Sequence, residues 1–368
     1  VAPSSTADMY WLLIPAPGSG EPTPDPSQEG NSEGRRYYVG ATLSYMLGGE
    51  LQTVEVEPDD ILVKPLPQLT LDYFLPPEVY GDDPWTPQSE PPIPFPLGVR
   101  VSNRGTGPAR NVEIESAQPR IVENTQGLLV DFLITGSEVN GAPATPSLLV
   151  DFGDIAPDSA GVAWWTMTVS LIGVFEDFSA SFVHADELGG QLTSVIQEVE
   201  THSLIKDVLV DLPGRDSIRD FLGTRSTRPE HEDSCVLYES DLPAEEESEL
   251  EVADLSDSST LTPKDGESLP TYSLAVSPVP MASPEEFWYL HHPISKALGE
   301  PGLVTARRSD GKVILAENVW IVKNRTEHHG WDYSVQLFDG YDTAHPLGTL
   351  SYTLVFADVD LSENCLLY

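Results

Sequence analysis

Cysteines and basic residues are scarce in this chain, and long apolar runs are missing. Two cysteines in 368 residues, Cys235 and Cys365, are too few for a disulfide scaffold and enough for one bridge. In an oxidising compartment that bridge closes a loop of about 130 residues, with an idealised entropic stabilisation of roughly 4–5 kcal/mol. Lys and Arg number 19 against 59 Asp and Glu, a formal net charge of -40. Such a charge repels nucleic-acid phosphates and anionic lipid surfaces, so neither is an expected partner. It suits cations, basic partners or an assembly that must stay solvated. No apolar run approaches the ~20 residues of a membrane helix, so no membrane insertion is expected. Val1 is not an initiator methionine, so the lack of a visible secretory signal decides nothing about location.

Catalytic motifs are missing as well. There is no Gly-x-Ser-x-Gly elbow, and Gly18-Ser19-Gly20 lies in a proline-rich loop. There is no Walker loop and no dinucleotide fingerprint. His291-His292 and His328-His329 are adjacent pairs without zinc spacing and read as loop residues. With 59 acids, no carboxylate pair stands out as a glycosidase's. The expectation is no catalysis and no cofactor other than calcium. Calcium takes several hard oxygens on a flexible loop. Asp82-Asp83 in a tight turn after Gly81, and the group Asp207, Asp211 and Asp216, are the two candidate places.

What is present is short apolar segments that mostly alternate, separated by 33 prolines and 28 glycines in many turns and loops. Residues 9–15 read as a short buried strand stopped by proline, and 16–34 as a long exposed loop. Over 36–47, Tyr37, Val39, Ala41, Leu43, Tyr45 and Leu47 share one face, with Thr42 and Ser44 on the other. Gly48-Gly49 turns this strand into 51–56, a hairpin signature, and Ile61–Val63 adds a further short strand. Residues 1–66 thus supply about four strands, where a complete sandwich has about seven.

A second unit spans 67–205. Its strands are expected around 69–73, 97–101, from 112, at 128–134, 148–152, 162–171 and 174–183, with 192–205 as a closing strand; that spacing is the pattern of a β-sandwich. Residues 206–270 turn polar and acidic and read as a linker, with one helical turn over 216–222. A third unit, 271–368, has strands near 272–276, 287–290, 303–307, 313–315, 319–323, 331–338 and 349–356.

Residues 97–183 carry a resemblance. Leu97-Gly98-Val99-Arg100-Val101-Ser102-Asn103-Arg104-Gly105, Ala109-Arg110-Asn111-Val112 and Phe152-Gly153-Asp154-Ile155-Ala156-Pro157 resemble the CARDB-type module, a cell-adhesion-related immunoglobulin-like domain. The likeness extends over about 61–205, with long insertions at 76–96 and 115–147. It implies an antiparallel sandwich, extracellular placement and an adhesive or scaffolding role, with no catalytic residues to carry over.

Together these readings give an all-β protein of tandem immunoglobulin-like antiparallel β-sandwiches joined by proline-rich and acidic linkers. The expected role is an extracellular or cell-surface structural or adhesive subunit that self-associates into a layer or filament. The expected assembly segment is Tyr10-Trp11-Leu12-Leu13-Ile14, which can add a strand to an exposed edge. Asn324, in the sequon Asn324-Arg325-Thr326, is the expected N-glycosylation site, in a hairpin loop. Glycans and other surface proteins are the other partners considered. The rival reading is a carbohydrate-binding module, or an accessory domain of a secreted hydrolase. Trp164 is its candidate stacking platform, because alternation over 162–171 turns Trp165 into the core and Trp164 away from it.

Overall fold

The computed structural model describes residues 6, 8, 10–16, 18–21, 34–114, 120–121, 131–174, 178–179, 195–225, 235–240, 249–277, 287–300, 302–326, 328–340 and 350–358. The described residues are almost wholly strand and turn, so the chain is all-β.

In the first sandwich, strands Leu69–Leu75, Phe95–Asn103, Ser159–Val169, Phe132–Val139 and Ala142–Ala144 pair antiparallel in that order. Alternation decides what each face does. Leu69, Leu71, Tyr73, Leu97, Val99, Val101, Ala163 and Trp165 point to one side. There they meet Ala109, Ile114, Val150, Phe152 and Ile155 of the paired strands Ala109–Ile114 and Val150–Ile155. Trp165 is fully buried, and its indole N–H donates to Ser147 O at 2.6 Å.

The Asn103-Arg104-Gly105 turn has a clear physical basis. The buried Asn103 amide donates to the carbonyls of Gly107, Ile155 and Ala156, and its Oδ1 accepts from the N–H groups of Gln68 and Gly105. One side chain thereby satisfies loops from three parts of the chain. A Cβ on Gly105 would lie 2.3 Å from Gln68 N and 2.4 Å from Leu66 O, so only glycine fits.

Strand Ile196–Val208 lies near the place expected for a closing strand, but it extends the sheet rather than closing it. It runs parallel to Leu69–Leu75 and then antiparallel to Asp220–Thr224. The sheet continues through Cys235–Tyr238, Glu249–Asp254, Phe287–Ile294 and Trp331–Gly340 to Val319–Arg325. One 12-stranded sheet therefore serves both sandwiches. The reading of 206–270 as an acidic linker is corrected here. Its described residues include strands Asp220–Thr224, Cys235–Tyr238, Glu249–Asp254 and Ser259–Pro263, and Val208, Phe221, Leu222, Val236, Leu237 and Tyr238 are fully buried. The helical turn expected over 216–222 is replaced by strand Asp220–Thr224. Asp220–Thr224 and Cys235–Tyr238 are short and covered on both faces, so they show apolar runs without alternation.

The C-terminal sandwich packs a four-stranded sheet, in the order Ser259–Pro263, Thr271–Val276, Leu350–Asp358 and Gly302–Arg308, onto the far end of the long sheet. Leu274, Trp288, Leu290, Val304, Val335, Leu337, Leu354 and Phe356 fill it. Six of its seven expected strands are found. Around Val313–Leu315 there is only a single bridge to Arg307.

The N-terminal unit differs from the four-strand expectation. Arg35–Leu47 and Glu50–Val63 form a two-stranded hairpin, and Ile61–Val63 is the end of its second strand. The described residues of 9–15 form no strand and are exposed.

Candidate functional site: an assembly surface and a buried polar cluster

The hairpin's first strand has 13 residues, which at about 3.4 Å each extends roughly 44 Å. The register puts Tyr37 opposite Ile61, Ala41 opposite Val56 and Leu43 opposite Val54. With Val39, Tyr45 and Leu47 these residues make one face mostly apolar, interrupted by Asp59, Gln52 and Glu50 opposite Val39, Tyr45 and Leu47. The other face is mixed: it carries the Arg36–Asp60 ion pair, Thr42 opposite Glu55 and Ser44 within 3.2 Å of Thr53, together with exposed Tyr38, Met46, Leu51 and Leu62. In a folded domain such an apolar face lies against a second layer. Here Leu43 is 51% exposed, Val54 47% and Val56 50%. A lone two-stranded hairpin is marginally stable in water, and both its edges present unpaired backbone groups. Tyr37 Oη donates to Ser19 O at 2.8 Å, a tie to the segment after Pro15. In that N-terminal segment Tyr10 is 91% exposed, and Trp11, Leu12, Leu13 and Ile14 are exposed as well.

The second face of the long sheet carries the strongest chemistry. Asp72, Arg100 and Glu200 project to the side opposite the sandwich core, because they alternate with Leu71 and Tyr73, Val99 and Val101, and Val199. His202, two residues on from Glu200, shares that side. Glu200 pairs with Asp72 across the parallel ladder, and Arg100 pairs with Asp72 across the antiparallel one. Arg100 donates from Nε and Nη2 to Asp72 Oδ2 at 2.9 and 2.7 Å, with both side chains 2% exposed. Asp72 Oδ1 faces His202 Nε2 at 3.4 Å, and Glu200 Oε2 lies 3.8 Å from the same nitrogen. Tyr238 Oη is 3.1 Å from His202 Nδ1, and Phe74 stacks on the imidazole at 5.2 Å. Burial works against the charge of Asp72, but His202 and Arg100 outweigh it and hold the carboxyl below its usual range. Glu200 moves the other way, raised by burial and then by the charge of Glu198.

A second polar cluster locks the sandwiches together. Arg325 donates to Asp83 at 2.8 Å and to Glu90 at 2.9 Å, and His329 Nδ1 lies 2.8 Å from the same Asp83 oxygen. Burial opposes the charge on Asp83. The Trp85 N–H, Arg325 and His329 overcome that opposition and bring the carboxyl down to about 2. Lys323 Nζ and the Arg325 guanidinium lie 4.0 and 4.6 Å from the centre of the Trp331 ring.

The residues singled out in the sequence fall as follows. Trp164 is not a platform. It is 4% exposed, stacked on Phe221 at 3.8 Å, with the Arg219 guanidinium 5.3 Å from its ring. The five calcium candidates do not converge. Asp83 is held by cations, Asp82 accepts from Glu90 N, Asp207 pairs with Arg219 and Lys206, Asp211 with Lys312, and Asp216 accepts from Ile218 N. Among the described residues, the one group of three whose ligand atoms come together is Asp72, Glu200 and His202. The sequence signal for it was the Glu-x-His spacing in a strand, which puts both on one face. His291 and His292 lie within strand Phe287–Ile294 rather than in a loop. Asn324 is exposed within strand Val319–Arg325, opposite Asp332, rather than in the loop that follows.

Cys365 lies outside the described residues. Cys235 is buried in a strand, and burial, then the charge of Asp254, push its thiol up to about 12. We expect native Cys235 to stay silent to Ellman's reagent and to react once the chain is denatured. A denatured chain that reacts only after reduction carries the bridge, and rapid reaction of Cys235 in the native state would contradict this packing.

No family model matches. The chain likewise matches no curated protein and no solved structure.

Proposed function

We propose that this chain is a self-associating structural subunit of an extracellular layer or filament, with no catalytic role of its own, and that the apolar face of the Arg35–Val63 hairpin is its contact surface. The observation that carries this reading is that face. Tyr37, Val39, Ala41, Leu43, Tyr45, Val54, Val56 and Ile61 form a half-core without a second layer among the described residues. The occupant is a second copy, which brings its own exposed Tyr10–Ile14 segment and its own hairpin. Segment-on-face contact is heterologous, and a heterologous contact that does not close makes a filament. A charge of -40 keeps the rest of the surface solvated and opposes any polar association. The contact is therefore apolar, and it strengthens as salt screens the repulsion.

The test is sedimentation velocity of the full chain over a concentration series, at low and high salt, with electron microscopy of the same samples. The wild-type chain forms higher-order species that grow with salt. The double variant Leu43→Asp with Val54→Asp, which puts two charges on the exposed face and disturbs no buried core, stays monomeric with an unchanged melting profile. A wild-type chain that remains monomeric at high concentration and high salt, or a variant that assembles normally, overturns the proposal.

A further inference from the structure

We propose that Asp72, Glu200 and His202 form a binding site for one divalent transition cation of the zinc class. The site is independent of the hairpin contact and lies on the other side of the first sandwich's central sheet from its core. The argument starts from separations. His202 Nε2 stands 3.4 Å from Asp72 Oδ1 and 3.8 Å from Glu200 Oε2. The second exceeds a normal N–H···O distance of roughly 2.7–3.2 Å, and the first is a long hydrogen bond at the outer limit. They suit two ligands of a shared cation, because arms of about 2.0–2.1 Å in tetrahedral array put neighbouring ligand atoms ~3.3 Å apart. All three ligand atoms lie within 4.8 Å of one another.

The surroundings support the same assignment. Tyr238 holds His202 Nδ1, and Arg100 holds Asp72 Oδ2, so the ring nitrogen and carboxylate oxygen turned inward are fixed by partners on their far sides. This is the outer-shell arrangement that orients metal ligands. The backbone is equally well placed, since the three ligands come from two paired strands in fixed register. Two carboxylates and one guanidinium leave a negative balance, and Glu198 and Glu249 add to the field at Glu200. A divalent cation answers that balance. One imidazole with two carboxylates suits zinc, cobalt or manganese better than calcium, which takes oxygen ligands throughout. The Glu200 side chain is 43% exposed, which leaves a path for the ion and a fourth position for water.

The competing account is that His202 is a buried histidine that merely hydrogen-bonds between its carboxylate neighbours and Tyr238. Titration of the chelator-treated full chain with Co²⁺ separates the two. It is run at high salt with excess Mg²⁺, so that the acidic surface is screened and filled. The proposal expects one equivalent, a visible d–d absorption band, and displacement by Zn²⁺. Glu200→Gln, at a half-exposed position, lowers the affinity at least tenfold. Tyr238→Phe keeps the ring packing but lowers the affinity about 10–100-fold through the lost grip on His202, while the metal-free melting profile stays near wild type. A titration with no saturable band, a stoichiometry other than one, or a Glu200→Gln chain that binds like wild type overturns the proposal and leaves His202 as a structural hydrogen-bonding residue.

Discussion

Gly98→Ala should destabilise the first sandwich by about 1–3 kcal/mol or more, although it adds one methyl group to a strand. A Cβ at this position lies 1.9 Å from Phe221 Cε1 and 2.8 Å from Cζ. The Phe221 ring has nowhere to go. It is stacked on Phe74 at 4.0 Å and on Trp164 at 3.8 Å, nearly parallel to both. Phe221→Ala alone empties the middle of that stack, at a cost of about 3–5 kcal/mol. The two changes should not add. Once the ring is gone the new methyl has space, so the double variant should be nearly as stable as Phe221→Ala alone, with a coupling of about 1–3 kcal/mol. Chemical denaturation of the four chains measures this. Simple additivity would mean that Phe221 does not sit over Gly98.

That stack explains what the sequence could and could not disclose. Alternation in Leu69-x-Leu71-x-Tyr73 and in the 162–171 segment showed the face that fills the sandwich core. The alternating hairpin at 36–47 was legible with its correct face. The second face of the sheet was hidden. Phe74, Gly98, Trp164 and Phe221 are brought together from four strands by the curl of one sheet, and nothing local in the sequence encodes that meeting. Asp72 and His202 become neighbours from 130 residues apart by a different route, the parallel pairing of Ile196–Val208 with Leu69–Leu75. Asp220–Thr224 and Cys235–Tyr238 were missed because strands of five and four residues, buried on both sides, show no period and sit among acidic stretches. The turn Asn103-Arg104-Gly105 was visible because Asn and Gly are turn residues by type, although most of the bonds Asn103 makes there are long-range. The calcium expectation failed for a related reason. Sequence counts carboxylates but does not show which cation each one faces, and Asp83, Asp207 and Asp211 each face one supplied by the chain itself.

Arg325→Met should loosen the joint between the sandwiches at a cost of about 3–5 kcal/mol, because it leaves Asp83 charged and buried with only His329 and a backbone N–H. The arginine is 7% exposed and reaches from strand Val319–Arg325 to the 83–90 loop of the first sandwich. Most of that cost comes from the stranded carboxylate, so Arg325→Met with Asp83→Asn should recover part of it. Acid probes the same contact without mutation. The folded Asp83 carboxyl sits at about 2 against an ordinary 3.8, so it is a stronger acid folded than unfolded. Its contribution is complete above about 4. As pH falls the unfolded chain takes up the proton first, and the stabilisation is lost through the window from about 4 to about 2. Asp72 is also depressed and adds to the acid limb in the same direction. The Asp83→Asn chain should therefore start less stable and show a shallower acid limb, but not a flat one. Denaturation midpoints of the two chains across that window decide the matter. An acid limb identical in both would remove Asp83 from the joint, and an Arg325→Met chain as stable as wild type would remove the joint itself.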